Sequence, residues 1–244
     1  MINYKMKIQY DGTRYYGWQR LENRESVQGK IEDVLSVLFD HKIEIHGAGR
    51  TDAGVHAIGQ VANFKVNSDK TPEEIIDYLN KYLPEDIAVT EISKAEERFH
   101  SRLLAKEKTY CYRIFHSDIR DVFNRRFVHL VEKPLDINAM EKGAEYFVGE
   151  HDFKAFCNNK NLKKSSVREI YSLNVEKVGE EIRLTFRGNG FLHNMVRIIT
   201  GTLIEVGLGK RSAEEIPAII ESKDRQKAGE TAPAKGLTLV EVIY

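Results

Sequence analysis

The fold is organised around one glycine-rich stretch, His46-Gly47-Ala48-Gly49-Arg50-Thr51-Asp52-Ala53-Gly54-Val55-His56-Ala57. Its glycines allow tight turns and positive φ angles that a β-carbon disfavours, so the stretch is predicted to be a loop. Apolar Ile43 and Ile45 precede it and the strand-like residues 60–64 follow it. This pattern predicts that sheet ends fix the loop on both sides. The side chains in the loop that can take part in chemistry are those of Asp52 and of Arg50, two residues before it.

Two common glycine motifs do not fit this loop. The dinucleotide fingerprint needs a third glycine where Asp52 stands, and a carboxylate there would repel a pyrophosphate. A P-loop needs Gly-Lys followed by Ser or Thr, which the loop lacks. Two interpretations therefore stay open on these residues alone. Arg50 and Asp52 either cap the backbone of an Asx-type turn or carry out chemistry.

A family resemblance bears on that choice. Residues 50–57, Arg-Thr-Asp-Ala-Gly-Val-His-Ala, resemble the catalytic motif of the tRNA pseudouridine synthase A family. The resemblance extends along nearly the whole chain and includes Tyr-Asp-Gly-Thr at residues 10–13 and Gly-Trp-Gln at residues 17–19. It implies an isomerase that converts uridine to pseudouridine at positions 38, 39 and 40 of the tRNA anticodon stem-loop. It also implies that Asp52 is the nucleophile and that the enzyme is a homodimer.

The composition is that of an ordinary globular protein. Of the 244 residues, 41% are hydrophobic and 30% are charged, and the formal net charge is zero. Any RNA partner must therefore be bound by local patches of charge. The two cysteines, Cys111 and Cys157, lack the spacing of a zinc site or a disulfide framework. The sequence shows neither a signal peptide nor an apolar run of membrane length, so we expect a cytoplasmic protein without membrane contact.

The hydrophobic periodicity predicts an α+β protein with a mostly antiparallel sheet and flanking helices. The resemblance implies the pseudouridine synthase fold, in which two halves share the sheet and an active-site cleft lies between them. We place the two halves at residues 1–105 and 106–244. Strands are predicted over residues 4–10, 109–115, 171–178 and 182–187, and helices over residues 27–38, 72–83, 136–147, 191–206 and 212–221.

Several local segments are candidate RNA contacts. The aromatic and basic residues 15–20 can stack on bases, although such aromatics also fit a core. Residues 154–168 carry basic side chains without an acid, which fits either a solvated loop or a segment that follows phosphates. In a homodimer, patches near Arg102 and Lys163 of the two subunits can form one basic surface. The cations of the second segment are Lys154, Lys160, Lys163, Lys164 and Arg168.

Arg197 lies among apolar residues of the predicted helix 191–206. A charged side chain in such surroundings usually has a partner, although snorkelling at a helix edge also fits. Residues 188–197, Gly-Asn-Gly-Phe-Leu-His-Asn-Met-Val-Arg, resemble the family block whose arginine pairs with the nucleophilic aspartate. The resemblance therefore implies that Arg197 pairs with Asp52. A guanidinium lowers a carboxyl pKa and opposes the rise that burial causes, which would keep Asp52 ionised.

Three further residues take roles from the resemblance. Tyr110, within residues 108–113, is implied to lie against the target uracil, whereas its position on a strand also fits a core aromatic. Arg50 is implied to enter the RNA stem and replace the extruded base, or else to contact phosphate. Leu237, within the closing block 231–239, is implied to line the uracil pocket.

The chemistry needs a nucleophile or base, a held ring and exclusion of water, but no redox cofactor. We expect no cofactor or metal, since the histidines show no zinc-ligand spacing. The sequence does not decide whether Asp52 attacks the ribose, attacks the uracil ring or acts through elimination. Two other functions remain: a noncatalytic RNA-binding module, which a pairing of Asp52 with Arg197 argues against, and a glycosidase-like hydrolase. The latter usually needs a second carboxylate, which the loop lacks.

Overall fold

The computed structural model describes residues 1–159 and 165–244, which form two compact units. The first unit contains Met1–Lys106 and Leu239–Tyr244, and the second contains Glu107–Thr238. Our prediction placed every residue after 105 in the second half, whereas Leu239–Tyr244 pack with the first unit. The predicted α+β class, with mostly antiparallel strands and flanking helices, is confirmed.

The helices and strands alternate along the chain. In order they are β1 (Ile2–Tyr10), α1 (Val27–Phe39), β2 (His46–Gly47), β3 (His56–Val66), α2 (Pro72–Tyr82), β4 (Ile87–Ala95), β5 (Glu107–Phe115), β6 (His129–Leu130), α3 (Ile137–Glu145), β7 (Gly149–Asp152), β8 (Val167–Val178), β9 (Glu181–Gly188), α4 (Met195–Gly207), α5 (Ile216–Ser222) and β10 (Leu237–Ile243).

The strands of the first unit follow the order β4-β1-β3-β10, with β2 paired to β3. β1 is antiparallel to both β3 and β4. The side chains of Tyr4 and Phe64 stack at 5.4 Å between ring centroids, and Phe39 of α1 lies 6.2 Å from Phe64. This face of the sheet is therefore the core of the unit, as the alternating apolar residues of β1 predict.

The helices of the first unit begin where the sequence predicts. The Ser26 side chain accepts a hydrogen bond from the backbone N–H of Gly29 at the start of α1. A capping box joins Thr71 and Glu74 at the start of α2, and Pro72 occupies its first turn. These local interactions satisfy backbone N–H groups that a helix leaves unpaired, which explains why both starts are predictable.

In the second unit the strand order is β5-β9-β8-β7, and β6 pairs in parallel with β5. The predicted strands 171–178 and 182–187 are confirmed and form a hairpin, since β8 and β9 pair antiparallel across the turn at Gly179. Next to this turn the carboxylate of Glu181 accepts hydrogen bonds from Arg113 and Arg183. Helix α3 ends two residues before the buried Phe147, whose ring meets that of Phe156 edge to face at 5.1 Å.

Two predicted helices differ from the structure. α4 begins at Met195, not at residue 191, because Asn194 has a φ of 62° in the left-handed region and interrupts the apolar pattern. Residues 212–221 are not one helix, since a 3-10 turn at Ala213–Glu215 precedes α5. In one continuous helix the N–H of residue 217 would donate to the Ala213 carbonyl, but Pro217 has no N–H. A capping box at Ser212 stabilises the 3-10 turn instead.

Candidate active site

The loop that carries Asp52 is fixed by the first unit on both sides of this residue. The Thr51 carbonyl accepts a hydrogen bond of 3.1 Å from the Trp18 N–H, and the Thr51 hydroxyl lies 2.8 Å from the hydroxyl of Tyr10. Burial raises the pKa of Tyr10, so its phenol stays protonated beside Thr51. The Asp52 carbonyl closes a turn by accepting from Val55 N–H at 3.1 Å. Asp52 itself is half-buried.

Close backbone approach explains two glycines near this loop. Gly17 has a φ of +93°, and a Cβ there would lie 2.5 Å from the Thr51 carbonyl oxygen. Gly54 has a φ of 76°, and its N–H donates to the Tyr15 carbonyl at 3.2 Å. Gly17 therefore requires a residue without a side chain, and the left-handed φ of Gly54 favours one.

The base of the loop is bound to β3. The Ala48 N–H donates to the Val61 carbonyl at 2.7 Å, and the buried amide of Gln60 donates to the Gly49 carbonyl at 2.9 Å. Arg50 follows directly and is exposed. The backbone thus presents an exposed guanidinium from a fixed position, while the prediction that Arg50 enters an RNA stem stays a prediction.

Arg197 lies in the first turn of α4 and is half-buried in the second unit. Its Nη1 donates to the side-chain oxygen of Asn194 at 2.9 Å, and its Nε donates to the Ala232 carbonyl at 2.8 Å. The Ala232 N–H returns a bond of 3.1 Å to the Arg197 carbonyl. The left-handed conformation of Asn194 places its side-chain amide next to the helix. The amide oxygen can therefore accept the hydrogen bond from Arg197.

The segment before Ala232 packs closely on α4. Gly201 of the helix faces the Glu230 carbonyl so closely that no Cβ would fit. The Gly229 N–H donates to the Thr202 hydroxyl at 2.9 Å. Small residues thus allow the backbone of residues 228–232 to reach the helix and to hold Arg197 in place.

Tyr110 and Leu237 lie elsewhere in the second unit. Tyr110 of β5 is 8% exposed, and its ring meets the edge of Phe191 at 5.3 Å. Leu237 is 5% exposed and begins β10 after the 3-10 turn Ala234–Gly236. A Cβ at Gly236 would lie 2.7 Å from the Tyr112 ring, so this turn requires glycine. The burial of both candidate residues agrees equally with a core role and with a pocket wall.

The segment at Ala232 also reaches β5. The Tyr112 hydroxyl donates to the Pro233 carbonyl at 2.8 Å. Burial raises the pKa of Tyr112, and the positive charge of Arg197 opposes that rise, so the two side chains share one electrostatic environment. The structure therefore joins Arg197 and the strand of Tyr110 through one loop.

The structure places the candidate residues in two sets. Arg50 and Asp52 lie on the loop of the first unit, and Tyr110, Arg197 and Leu237 lie in the second unit. The pairing of Asp52 with Arg197 stays a prediction. Sequence reasoning missed the residues that hold the two sets, which are Tyr10, Gly17, Gln60, Asn194 and Ala232.

The candidate RNA-contacting segments have mixed outcomes. Trp18 is 2% exposed and belongs to the core, whereas Tyr16 is 52% exposed with the guanidinium of Arg24 over its ring. Arg168 donates to the carbonyls of Ser165 and Val167. Lys160, Lys163 and Lys164 lie outside the described residues.

Two other kinds of feature are absent from the part of the chain that the structure describes. Across residues 1–159 and 165–244, no helix has the length and apolar character needed to cross a lipid bilayer. In the same part of the chain, no group of three or more His, Cys, Asp or Glu side chains is arranged to hold a metal ion.

Comparisons with known proteins define the class. A family model described as tRNA pseudouridine synthase matches residues 6–103 and 144–244. The chain is 53% identical over its full length to tRNA pseudouridine synthase A of Bacillus sp. (strain KSM-64), and all of that protein is covered. It is 46% identical, again with full coverage of both chains, to tRNA pseudouridine synthase A of Acetivibrio thermocellus. The chain therefore belongs to the tRNA pseudouridine synthase A family, whose enzymes are pseudouridine-forming isomerases.

A solved structure, titled as a Cbf5-Nop10-Gar1 complex, matches with a TM-score of 0.36 and 11% identity. The match covers 97% of this chain and 58% of that chain. A similarity at this level carries no argument about function.

Proposed function

We propose that this enzyme converts uridine to pseudouridine in tRNA, at positions 38, 39 and 40 of the anticodon stem-loop, with Asp52 as the nucleophile. The observation that carries the proposal is the loop of Asp52, whose backbone is fixed by Trp18 and Tyr10 on one side and by Val55 on the other. A fixed backbone presents one carboxylate in one place, as covalent catalysis requires.

The reaction moves uracil without adding or removing atoms. The bond between N1 and the ribose anomeric carbon breaks, a bond from C5 to the same carbon forms, C5 loses a proton and N1 gains one. Asp52 acts on the ribose or on the ring during the interval in which the base is detached. Because no electrons are gained or lost, the chain's own side chains suffice for this step.

Arg197 is proposed as the cationic partner of Asp52. Its hydrogen bonds to Asn194 and Ala232 fix the plane of the guanidinium. A guanidinium of fixed orientation can form two parallel bonds to a carboxylate, whereas lysine supplies a point charge without that geometry. The proposed pair holds the Asp52 carboxylate in one orientation for attack.

Tyr110, Leu237 and Arg50 are proposed to hold the flipped uridine and the RNA around it. Extruding a base costs a few kcal/mol of stacking, and stacking on one aromatic ring returns about 1–3 kcal/mol. The ring of Tyr110 is already oriented by Phe191. Leu237 supplies an apolar wall beside uracil, and exposed Arg50 fills the gap in the stem. We also propose that the enzyme acts in the cytoplasm as a homodimer.

The test is tritium release from tRNA transcripts labelled at uridine C5. Release of tritium without free uracil, lost when uridines 38, 39 and 40 are replaced by cytidine, supports the proposal. Release of free uracil would show a hydrolase, and tight tRNA binding without either product would show a binding module. Either of those two results overturns the proposal.

A further inference from the structure

Arg225 binds two separate segments of the second unit with every nitrogen of its guanidinium. Its Nε donates to the side-chain oxygen of Asn158 at 2.9 Å. Its Nη1 donates to the carbonyls of Ala228 and Gly229, at 3.3 and 2.9 Å, and its Nη2 donates to the Thr231 hydroxyl at 3.0 Å. The planar fork therefore cross-links residue 158 with residues 228–231.

Each of these segments is connected to a hydrogen-bond partner of Arg197, one through a hydrogen bond and the other through the chain itself. The Asn158 N–H donates to the carbonyl of His193 at 3.3 Å, and His193 directly precedes Asn194. Thr231 directly precedes Ala232. Arg225 thus reaches Ala232 through Thr231, and it reaches Asn194 through Asn158 and His193.

The environment of Arg225 indicates a structural use of its charge. The side chain is half-buried, and burial lowers the pKa of its guanidinium. In the described part of the chain, no carboxylate lies within ion-pair distance of Arg225. Its hydrogen bonds go to neutral carbonyl, amide and hydroxyl oxygens, which fixes backbone geometry without neutralising the charge.

We propose that Arg225 is a positioning residue for the isomerisation, because it holds in register the two segments that orient Arg197. This inference rests on the proposed role of Arg197 and adds a residue that does not itself touch the substrate. A lysine cannot replace Arg225, since a single ammonium group cannot reach all of the acceptors that the three nitrogens of the guanidinium contact.

The experiment compares steady-state pseudouridine formation by Arg225→Ala with that by Arg211→Ala. Arg211 is a matched control, because it also bonds to α4, through Glu205 at 3.0 Å, and its side chain is 19% exposed. We expect Arg225→Ala to lower kcat by about 100-fold, as small displacements of an orienting group do, with KM changed by less than about threefold. Arg211→Ala lowers the thermal midpoint but leaves kcat within about twofold of wild type.

A second pair of variants decides the question even if Arg225→Ala does not fold. Thr231→Val removes one acceptor of Arg225 and should lower kcat by about tenfold, whereas Thr231→Ser keeps the hydroxyl and should restore the wild-type rate. Equal kcat values for Thr231→Val and Thr231→Ser overturn the inference, as does a kcat for folded Arg225→Ala that equals that of Arg211→Ala. If Arg197→Lys also retains full activity, the proposed function of Arg197 fails, which is a separate outcome.

Discussion

Asp52 and Arg197 are held by different kinds of structure. The loop of Asp52 is held mainly by backbone atoms, since Trp18, Gly54 and Val55 donate backbone N–H groups around it. Arg197 is held through its side chain by Asn194 and Ala232. The first arrangement fixes where a carboxylate is anchored, and the second fixes how a guanidinium is rotated.

This difference indicates which kind of substitution should disturb each of the two candidate residues. Backbone hydrogen bonds survive most side-chain substitutions, so the Asp52 loop should fail only where a new atom collides with it. The Arg197 guanidinium depends on the Asn194 side chain as well as on the Ala232 backbone carbonyl, so its orientation should be lost when the Asn194 side chain is removed. The following variants test this contrast.

The largest effect is expected from Asp52→Asn. The amide keeps the shape of the side chain but cannot act as the nucleophile, so kcat should fall at least about 10,000-fold. The tRNA dissociation constant, measured by filter binding, should change by less than about threefold. Asp40→Asn is the control, because Asn tolerates the left-handed φ of 56° at that position. Substantial remaining activity in Asp52→Asn would falsify the nucleophile role.

Gly17→Ala should disturb the backbone of the Asp52 loop by a steric clash. Its Cβ would lie 2.5 Å from the Thr51 oxygen at a φ of +93°, so we expect a loss of about 3 kcal/mol in the free energy of unfolding. The control is Gly179→Ala, where φ is +62° and nothing lies within 4 Å, with an expected loss of about 1 kcal/mol. Urea denaturation measures both, and equal losses would show that the close approach to Thr51 is unimportant.

Tyr110→Phe examines a side chain of the second unit with its ring preserved. The contact with Phe191 remains, so stability should change little. If the hydroxyl transfers a proton, single-turnover rates should fall by about 100-fold. Tyr15→Phe is the control, because it removes a hydroxyl bound to Asp86 while its backbone still accepts from Gly54. Full activity in Tyr110→Phe excludes proton transfer and leaves stacking alone.

Glu181→Gln should give the smallest effect, on stability rather than on catalysis. Hydrogen bonding from Arg113 lowers the pKa of Glu181 below its ordinary value of 4.5, and burial only partly opposes this. The ionised carboxylate therefore stabilises the folded chain above about pH 4.5, and this stability is lost as the pH falls through the lowered pKa.

Urea denaturation between pH 3 and 7 measures this effect. Glu181→Gln should cost about 1–2 kcal/mol at pH 7, and the difference from wild type should shrink on acidification. Glu176→Gln, on the exposed side of the same hairpin, is the matched control. A pH-independent difference would mean that the charge of Glu181 does not contribute.

Sequence reasoning succeeded where the determinants are local. The capping box of Thr71 and Glu74 predicts the start of α2, and the structure confirms it. The predicted start of α4 was wrong. Phe191 and Leu192 continue the apolar pattern of the helix, but the left-handed conformation of Asn194 interrupts the helical backbone. Periodicity reports which side chains are apolar and does not report a single left-handed residue.

The site could be predicted only in part for the same reason. The glycines around Asp52 predict a loop, and the structure shows one. The contact between Arg225 and Asn158 joins residues 67 positions apart, so no local pattern points to it. Hydrogen bonds of this kind depend on the completed tertiary structure and become visible only in coordinates.

The large sequence separation between β3 and its neighbour β10 has a consequence for biosynthesis. Leu239–Tyr244 belong to the first unit, where β10 is the neighbour of β3 and the Lys106 N–H donates to the Ile243 carbonyl. A ribosome therefore finishes Met1–Lys106 long before it reaches Leu239, and until then the edge of the nascent sheet at β3 stays open.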